Sequence, residues 1–174
     1  MILAFNDLIS MKKSSKSPKE GDVFVLQPIK DIFYFGKVIQ TNLESVDSFI
    51  NGMTLIYIYQ YWSDNRVIPY DLDQKGFLIA PMIVNTQPWK KGYFETIGNV
   101  EVSEIERNVD LAFWNVLKEE YVDINGKKIE CIPEYCSIYG LGSYGIVGKE
   151  VQNAIKNESG FIADTSTCQK ADKV

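Results

Sequence analysis

Residues 19–39, KEGDVFVLQPIKDIFYFGKVI, contain the two apolar runs that decide the fold. Val23–Leu26 and Ile32–Ile39 are rich in β-branched and aromatic residues, and the break at Pro28–Asp31 separates them, so the stretch predicts a β-hairpin. The first run is apolar at four successive positions, which is typical of a strand in a sheet covered on both faces. Gly36 inside the second run predicts a bulge or a close approach by another backbone, and it can bend the strand toward a small barrel.

The composition sets limits on the function. The chain has 174 residues, of which 45% are apolar, and this suits one domain with a good core. Its formal charge of −5 argues against a general nucleic-acid binder, whose phosphate contacts need a basic surface, and favours a basic partner. The chain has no histidine, the commonest general base and metal ligand. We therefore expect neither catalysis nor a metal or cofactor.

The cysteines and the N-terminus indicate a reduced, cytoplasmic protein. Cys131, Cys136 and Cys168 are an odd count without four zinc ligands, and C-x-x-x-x-C is not the redox spacing C-x-x-C, so reduced thiols are expected. No run reaches the roughly 18 consecutive apolar residues of a membrane span. The first residues place apolar side chains before lysines, the reverse of a signal peptide.

Turn and periodicity signals divide the rest of the chain. We predict that residues 1–18 are disordered or an extension, with Met11 as an alternative start, that 19–158 form a single domain, and that 159–174 are a polar tail. Further local predictions, from apolar runs and turn residues, are strands at 53–62, 77–84 and 89–97, an edge position or bulge at Pro81, a hairpin turn at Asn125-Gly126, a glycine-rich loop at 136–148 and a C-terminal helix at 147–157. The predicted fold is α+β and strand-rich, with an antiparallel, bent or barrel-like sheet and a C-terminal helix.

The candidate binding residues are acids and tyrosines. Residues 101–123 carry seven acidic and two basic side chains, a net charge of −5 in one short segment, which could steer a charged partner. Tyrosines in loops are good recognition anchors, because they offer a large area and have few torsions to freeze. Along the strand at 53–62 the tyrosines share one face. By its composition that face is the one nearer the surface, but an aromatic stripe on a strand is more often core than interface, so both interpretations stay open. The candidates are Tyr59, Tyr61, Asp71, Asp73, Glu101, Glu104, Glu106, Tyr139 and Tyr144.

The order of short motifs resembles the immunity protein 26 family of bacterial polymorphic toxin systems. GDVFVL is followed by FYFGKVI, LIYIYQYW, FLIAPMIV and WKKGYFETIG, over roughly residues 18–155. The matching positions are Gly21, Asp22, Phe24, Phe35, Gly36, Val38, Trp89, Gly92, Ile97 and Gly98. Relatives tend to carry Asp-Gly in the first turn, where this chain has Lys30-Asp31. The resemblance implies a protein that binds and neutralises a cognate toxin without catalysis; a basic nuclease would suit the negative charge.

Two other interpretations remain open. A small barrel-type module could bind a peptide or nucleic acid through the basic lead at 12–19. An enzyme could use Cys131 or a carboxylate pair such as Asp71 with Asp73, although such pairs are usually a solvated face. The glycines of LGSYGIVGKE invite comparison with a phosphate loop, but no Lys-Ser/Thr follows at the P-loop spacing.

Overall fold

A computed structural model describes residues 8–157. Its strands are β1 Asp22–Ile29, β2 Ile32–Gln40, β3 Thr54–Ser63, β4 Phe77–Val84, β5 Glu95–Asn99, β6 Leu111–Asn115, β7 Glu120–Val122, β8 Tyr135–Ile138 and β9 Leu141–Gly142. Its helices are α1 Gln87–Lys90, α2 Glu104–Arg107 and α3 Tyr144–Lys156, with a 3₁₀ turn at Leu72–Gln74. No helix in this part of the chain is long and apolar enough to cross a membrane.

The strands form two open sheets. The large sheet has the order β5-β1-β2-β3-β4-β9 and the small sheet the order β7-β6-β8. Neighbouring strands are antiparallel except for the pairs β4 with β9 and β6 with β8. The predicted strand-rich α+β fold with a C-terminal helix is confirmed, and the bent large sheet stays open instead of closing into a barrel.

The hairpin that opens the fold is formed as predicted. β1 and β2 pair antiparallel, and Ile29 lies opposite Ile32, so Lys30 and Asp31 make a two-residue turn. Asp31 supplies the positive φ, 63°, that such turns need and that aspartate tolerates. At Gly36 a side chain would meet the Phe24 ring and the Tyr57 carbonyl oxygen, the latter at 2.9 Å. The register of β2 against β3 also shifts beside Gly36. Both predicted roles of this glycine, bulge and close approach, are confirmed.

The large sheet is covered on both faces, as the apolar run in β1 predicts. On one face Phe35 and Tyr57 pack with Phe113 and Val122 of the small sheet. On the other face a second apolar cluster joins the sheet to α1 and α3; its members include Phe24, Ile58, Trp89, Val147 and Val151. Because each central strand buries side chains in both directions, β1 and β2 read as continuous apolar runs and not as alternation.

Strands β3 and β4 lie where the sequence places them. β4 covers residues 77–84 as predicted, and β3 is displaced by one residue from the predicted 53–62. Around Pro81 the register against β3 shifts, since Ile56 pairs with Met82 whereas Ile58 pairs with Ile79. The irregularity predicted at this proline is confirmed.

The prediction of a strand at 89–97 is mostly wrong. Pro88 lies in the first turn of the short helix α1, where the fixed φ of proline suits a helix. Only Glu95–Asn99 form a strand. Trp89 is buried, with its ring centroid 5.4 Å from that of Phe24 and 5.1 Å from that of Phe94. The aromatic residues that suggested a strand are instead the anchors of a helical turn.

The C-terminal third is more regular than predicted. The glycine-rich loop at 136–148 contains β8, β9 and the first turn of α3. The Ser143 hydroxyl accepts a hydrogen bond from the Ile146 amide at 3.2 Å and so caps α3, which begins three residues before the predicted helix. The Asn125-Gly126 turn is confirmed, with the Gly126 amide donating to the Asp123 carbonyl at 3.0 Å. The predicted tail at 159–174 lies outside the described residues.

Residues 8–18, which the sequence predicts to be disordered or an extension, contact the rest of the domain. They follow a defined path along the sheet, and the backbone amides of Ile9, Met11 and Ser14 donate to the carbonyls of Gln27, Gly92 and Trp89 at 2.8, 2.7 and 3.0 Å. Leu8 is buried in the cluster that contains Trp89. The composition of this segment could not predict these contacts, because the segment is basic and rich in serine and because hydrogen bonds of the backbone do not depend on side-chain type. Residues 1–7 lie outside the described part of the chain.

Candidate functional site

Helix α2 is built on a capping box. The Ser103 amide donates to Glu106 Oε2 at 2.8 Å, and the Glu106 amide donates to Ser103 Oγ at 3.3 Å. This exchange satisfies two of the donors that a helix N-terminus leaves unpaired. Although α2 is only one turn long, its start at Glu104 is therefore fixed by its own sequence, S-E-I-E.

A buried charge network fastens α2 to the large sheet. Lys37 of β2 donates to Glu106 Oε2 at 2.8 Å and to the Glu101 carbonyl at 2.9 Å, and the two charged side chains are 3% and 2% exposed. The Tyr59 hydroxyl donates to Glu106 Oε1, and the Tyr57 hydroxyl donates to the Glu106 carbonyl at 3.1 Å. Burial and the neighbouring carboxylate raise the pKa of Tyr57 to about 12 and raise the pKa of Tyr59 further.

The buried network holds residues 101–107, and the side of this segment that faces away from the network is exposed and acidic. Glu101, Glu104 and Ile105 point to solvent, and Ile105 is 56% exposed. α2 lies against the 3₁₀ turn at 72–74; Asp71, just before this turn, and Asp73, within it, are half-buried. Tyr70, just before the turn, is 99% exposed. We call the surface formed by Tyr70, Asp71, Asp73, Glu101, Glu104 and Ile105 the acidic face.

The charge of the acidic face is only partly balanced. Asp71 pairs with Lys75 at 2.9 Å, and this hydrogen bond lowers the pKa of the Asp71 carboxyl. Arg107, the other nearby cation, pairs with Glu20 at 3.0 Å. Within residues 8–157, Asp73, Glu101 and Glu104 have no basic partner inside the 4.0 Å limit for an ion pair. Three carboxylates without a basic partner thus lie on the same two contacting segments as an exposed tyrosine and an exposed isoleucine.

The structure brings some of the predicted candidates together and separates others. Asp71, Asp73, Glu101 and Glu104 lie on the acidic face. Tyr61 is half-buried beside it, with Lys75 Nζ 5.4 Å from its ring centroid.

Four candidates lie elsewhere or below the surface. Tyr59 and Glu106 are enclosed in the network, where a partner protein cannot touch them. Tyr139 is buried, and its hydroxyl contacts Ser45 Oγ at 2.5 Å. Tyr144 is half-buried in the first turn of α3 and stacks on Tyr93 at 4.8 Å between centroids.

The tyrosine-bearing side of β3 belongs to the core, so the core interpretation is confirmed and the surface interpretation is wrong. Tyr57 and Tyr59 face the small sheet and are buried, whereas Gln60 and Trp62, which alternate with them, are exposed. The small sheet packs on this side of β3, and it therefore buries the tyrosines that the composition placed at the surface. The phenol hydroxyls are satisfied by Glu106, so burying these tyrosines leaves no unpaired donor.

Sequence reasoning missed Tyr70 and Ile105. Tyr70 lies in a polar stretch of the sequence, and its exposure follows from a loop path that no periodicity encodes. Ile105 had a local signal, because the S-x-x-E capping box at 103–106 fixes which helix positions face inward and which face out. The same signal predicts that Glu106 folds back onto the Ser103 amide, whereas its burial depends on Lys37 of β2.

The cysteines and carboxylates are the remaining side chains that could support chemistry. Cys131 is exposed, and its thiol is free. Among residues 8–157 no group of three or more Cys, Asp or Glu side chains is placed to hold a metal ion.

Comparison with known proteins assigns the family. No curated protein and no solved structure matches the chain. The profile of Immunity protein 26 matches residues 19–121, more than half of the chain. That range contains the opening hairpin, the buried Lys37–Glu106 pair and every residue of the acidic face. The chain therefore belongs to the immunity protein 26 family.

Proposed function

We propose that this protein neutralises one cognate toxin by binding it in the cytoplasm, without catalysis, and that the acidic face is the contact surface. The observation that carries the proposal is the acidic face itself: three carboxylates without basic partners beside two exposed apolar side chains, on a segment held by a buried network. Membership of an immunity family supplies the kind of partner.

The chemistry of the acidic face suits a tight protein interface. Tyrosine is among the residues that most often dominate binding energy, and Tyr70 offers nearly its whole side chain. Ile105 adds apolar area beside it. The surrounding carboxylates would accelerate encounter with a positively charged partner and fix its orientation. Because Lys37, Tyr57 and Tyr59 already immobilise α2, binding would lose little conformational entropy in this segment.

A basic nuclease is the toxin class that fits best. A nuclease needs a positively charged surface to hold phosphates. Carboxylates of Asp73, Glu101 and Glu104 could occupy that surface and exclude the nucleic acid. The interaction would then weaken as salt rises, since exposed charges are screened over about 10 Å at 0.1 M ionic strength.

Co-expression tests the proposal. The C-terminal domain encoded by the reading frame immediately upstream is expressed alone and together with this protein, and growth is measured. We expect growth to be restored by the wild type and by Glu150→Lys, an exposed charge reversal on α3 away from the acidic face. The double reversal Asp73→Lys with Glu104→Lys should fail to restore growth while keeping the wild-type circular dichroism spectrum.

Binding measurements separate the parts of the proposal. With the purified toxin domain, Tyr70→Ala should weaken affinity by about 30-fold, the effect of losing a residue worth about 2 kcal/mol. Val67→Ala, another exposed side chain of the same loop, should change it less than about threefold. Equal affinities for wild type, Tyr70→Ala and the double reversal would remove the acidic face from the interface and leave the family function intact.

A further inference from the structure

A second surface, unrelated to the acidic face, lies at the far end of the small sheet. It is a groove with a volume of about 360 Å³. Four chain segments converge to form it: the link between β2 and β3, the turn between β6 and β7, the Asn125-Gly126 turn, and the end of β8. The residues that line it are Val46, Asp47, Asn115, Val116, Leu117, Lys118, Gly126, Ile138 and Tyr139.

Hydrogen bonds preform the walls of this groove. Asn115 Oδ1 accepts from the amides of Leu117 and Lys118, both at 3.1 Å, and so fixes the tip of the β6–β7 turn. On the opposite wall the Val46 amide donates to the Asn125 carbonyl at 3.3 Å. The ring of Tyr139 packs on Phe113. Because the walls of the groove are already fixed, they would lose little conformational entropy when a side chain binds there.

The rim of the groove is apolar and exposed. Leu117 is 96% exposed at the tip of the turn, and Val46, Val116 and Ile138 are exposed around it. Four exposed apolar side chains around one recess offer area that association with another protein would remove from water. Leu117 stands beside the cavity and does not fill it, so the same surface presents both a protruding side chain and a recess.

The charges of the groove are opposite and equal in number. Asp47 and Lys118 both line it, and within residues 8–157 neither has an ion-pair partner. The whole chain carries −5, so two copies repel over most of their surfaces, but this patch has no net charge. A twofold interface requires one surface to complement itself, with residue i of one copy meeting residue j of the other and the reverse.

We propose that this groove joins two copies of the chain in a symmetric dimer. Leu117 of each copy enters the recess of the other between Val46 and Ile138. Lys118 of each copy faces Asp47 of the other. The acidic face contributes no residue to the groove, so each copy keeps its own toxin-binding surface, and the dimer does not depend on the proposed function.

The oligomeric state of the full chain tests this proposal. Sedimentation equilibrium should give a dimer at micromolar concentration. Because Leu117 occurs twice in a twofold interface, Leu117→Asn should weaken the dimer roughly a hundredfold or more. Val67→Asn, at an exposed valine that does not line the groove, should leave it unchanged. A monomeric wild type, or a dimer that resists Leu117→Asn, would overturn the proposal.

Mixing two charge variants tests the symmetry. Asp47→Lys and Lys118→Glu should each be monomeric, because each places like charges opposite one another. An equimolar mixture should form a heterodimer, since every cross-interface pair is then of opposite sign. Asp47 Oδ1 also accepts the Phe49 amide at 2.8 Å, so Asp47→Asn, which keeps an acceptor there, is the folding control. Failure of the mixture to associate while both variants are folded contradicts the Lys118–Asp47 contact. Loss of toxin binding by Leu117→Asn without a change in oligomeric state would assign the groove to the toxin instead.

Discussion

Replacing Lys37 by methionine removes the charge that compensates Glu106 and keeps the length of the side chain. Glu106 would then be a carboxylate that is 2% exposed, with the Tyr59 hydroxyl and the Ser103 amide as its remaining donors. Removing one partner of a buried pair costs about 3–5 kcal/mol, because the other charge stays buried and uncompensated. That is a large share of the roughly 5–15 kcal/mol that keeps a typical domain folded.

Urea denaturation measures the effect. With a slope of about 2–3 kcal/mol per molar urea, the midpoint should fall by about 1–2.5 M. Lys149→Met, at an exposed lysine of α3, is the matched control and should change the unfolding free energy by less than about 0.5 kcal/mol. Adding Glu106→Gln to Lys37→Met should recover most of the loss, because an amide oxygen still accepts from Tyr59 and Ser103 without a buried charge. A cost below about 1 kcal/mol for Lys37→Met would refute the assignment of a desolvated ion pair.

Three further predictions concern the sheet, the lead and pH. Gly36→Ala should cost several kcal/mol in urea denaturation, because its Cβ meets the Phe24 ring and the Tyr57 carbonyl, whereas Gly52→Ala, in open space with φ of +82°, should cost only about 1 kcal/mol. Leu8→Ala should cost about 2 kcal/mol by the same assay if the lead is packed, and nothing if it is disordered. The unfolding free energy should fall between about pH 10 and 12, because the raised pKa of Tyr57 keeps its proton in the folded protein where the unfolded chain loses it. Tyr57→Phe should reduce that fall, and an equal fall in the variant would contradict it.

The elements that sequence predicts well are those determined by neighbours along the chain. The β1–β2 hairpin follows from two apolar runs around a polar break, and the Asn125-Gly126 turn follows from the backbone that glycine allows. Helix α3 follows from apolar positions at helical spacing. In each case the segment itself contains the residues that favour one local conformation.

The errors occur where distant contacts decide. Trp89 lies in a stretch of strand-forming residues, but Pro88 and the aromatic cluster around Phe24 hold it in a helical turn. Glu104 and Glu106 are two residues apart and carry the same charge. Glu104 is nevertheless exposed, whereas Glu106 is buried against Lys37. Lys37 was itself a signal, since a lone charge inside the run FYFGKVI of a doubly covered sheet needs a buried partner.

The acidic face could be anticipated only in part. The excess of acids at 101–123 indicates a charged surface, and Asp71 and Asp73 are among the candidates that the sequence offers. Their approach to Glu104 depends on the contact between the 3₁₀ turn and α2, which lie about thirty residues apart in the chain. Tyr70 could not be distinguished from buried tyrosines such as Tyr57, because exposure is a property of the packed fold.

Growth of cells that make the toxin domain encoded immediately upstream is the most direct measurement. With wild-type protein or Glu150→Lys we predict full growth, and with Asp73→Lys plus Glu104→Lys, present at equal soluble level, we predict arrest. Arrest with the wild type would contradict the immunity function toward that toxin. Full growth with the double reversal would contradict the acidic face as its binding surface.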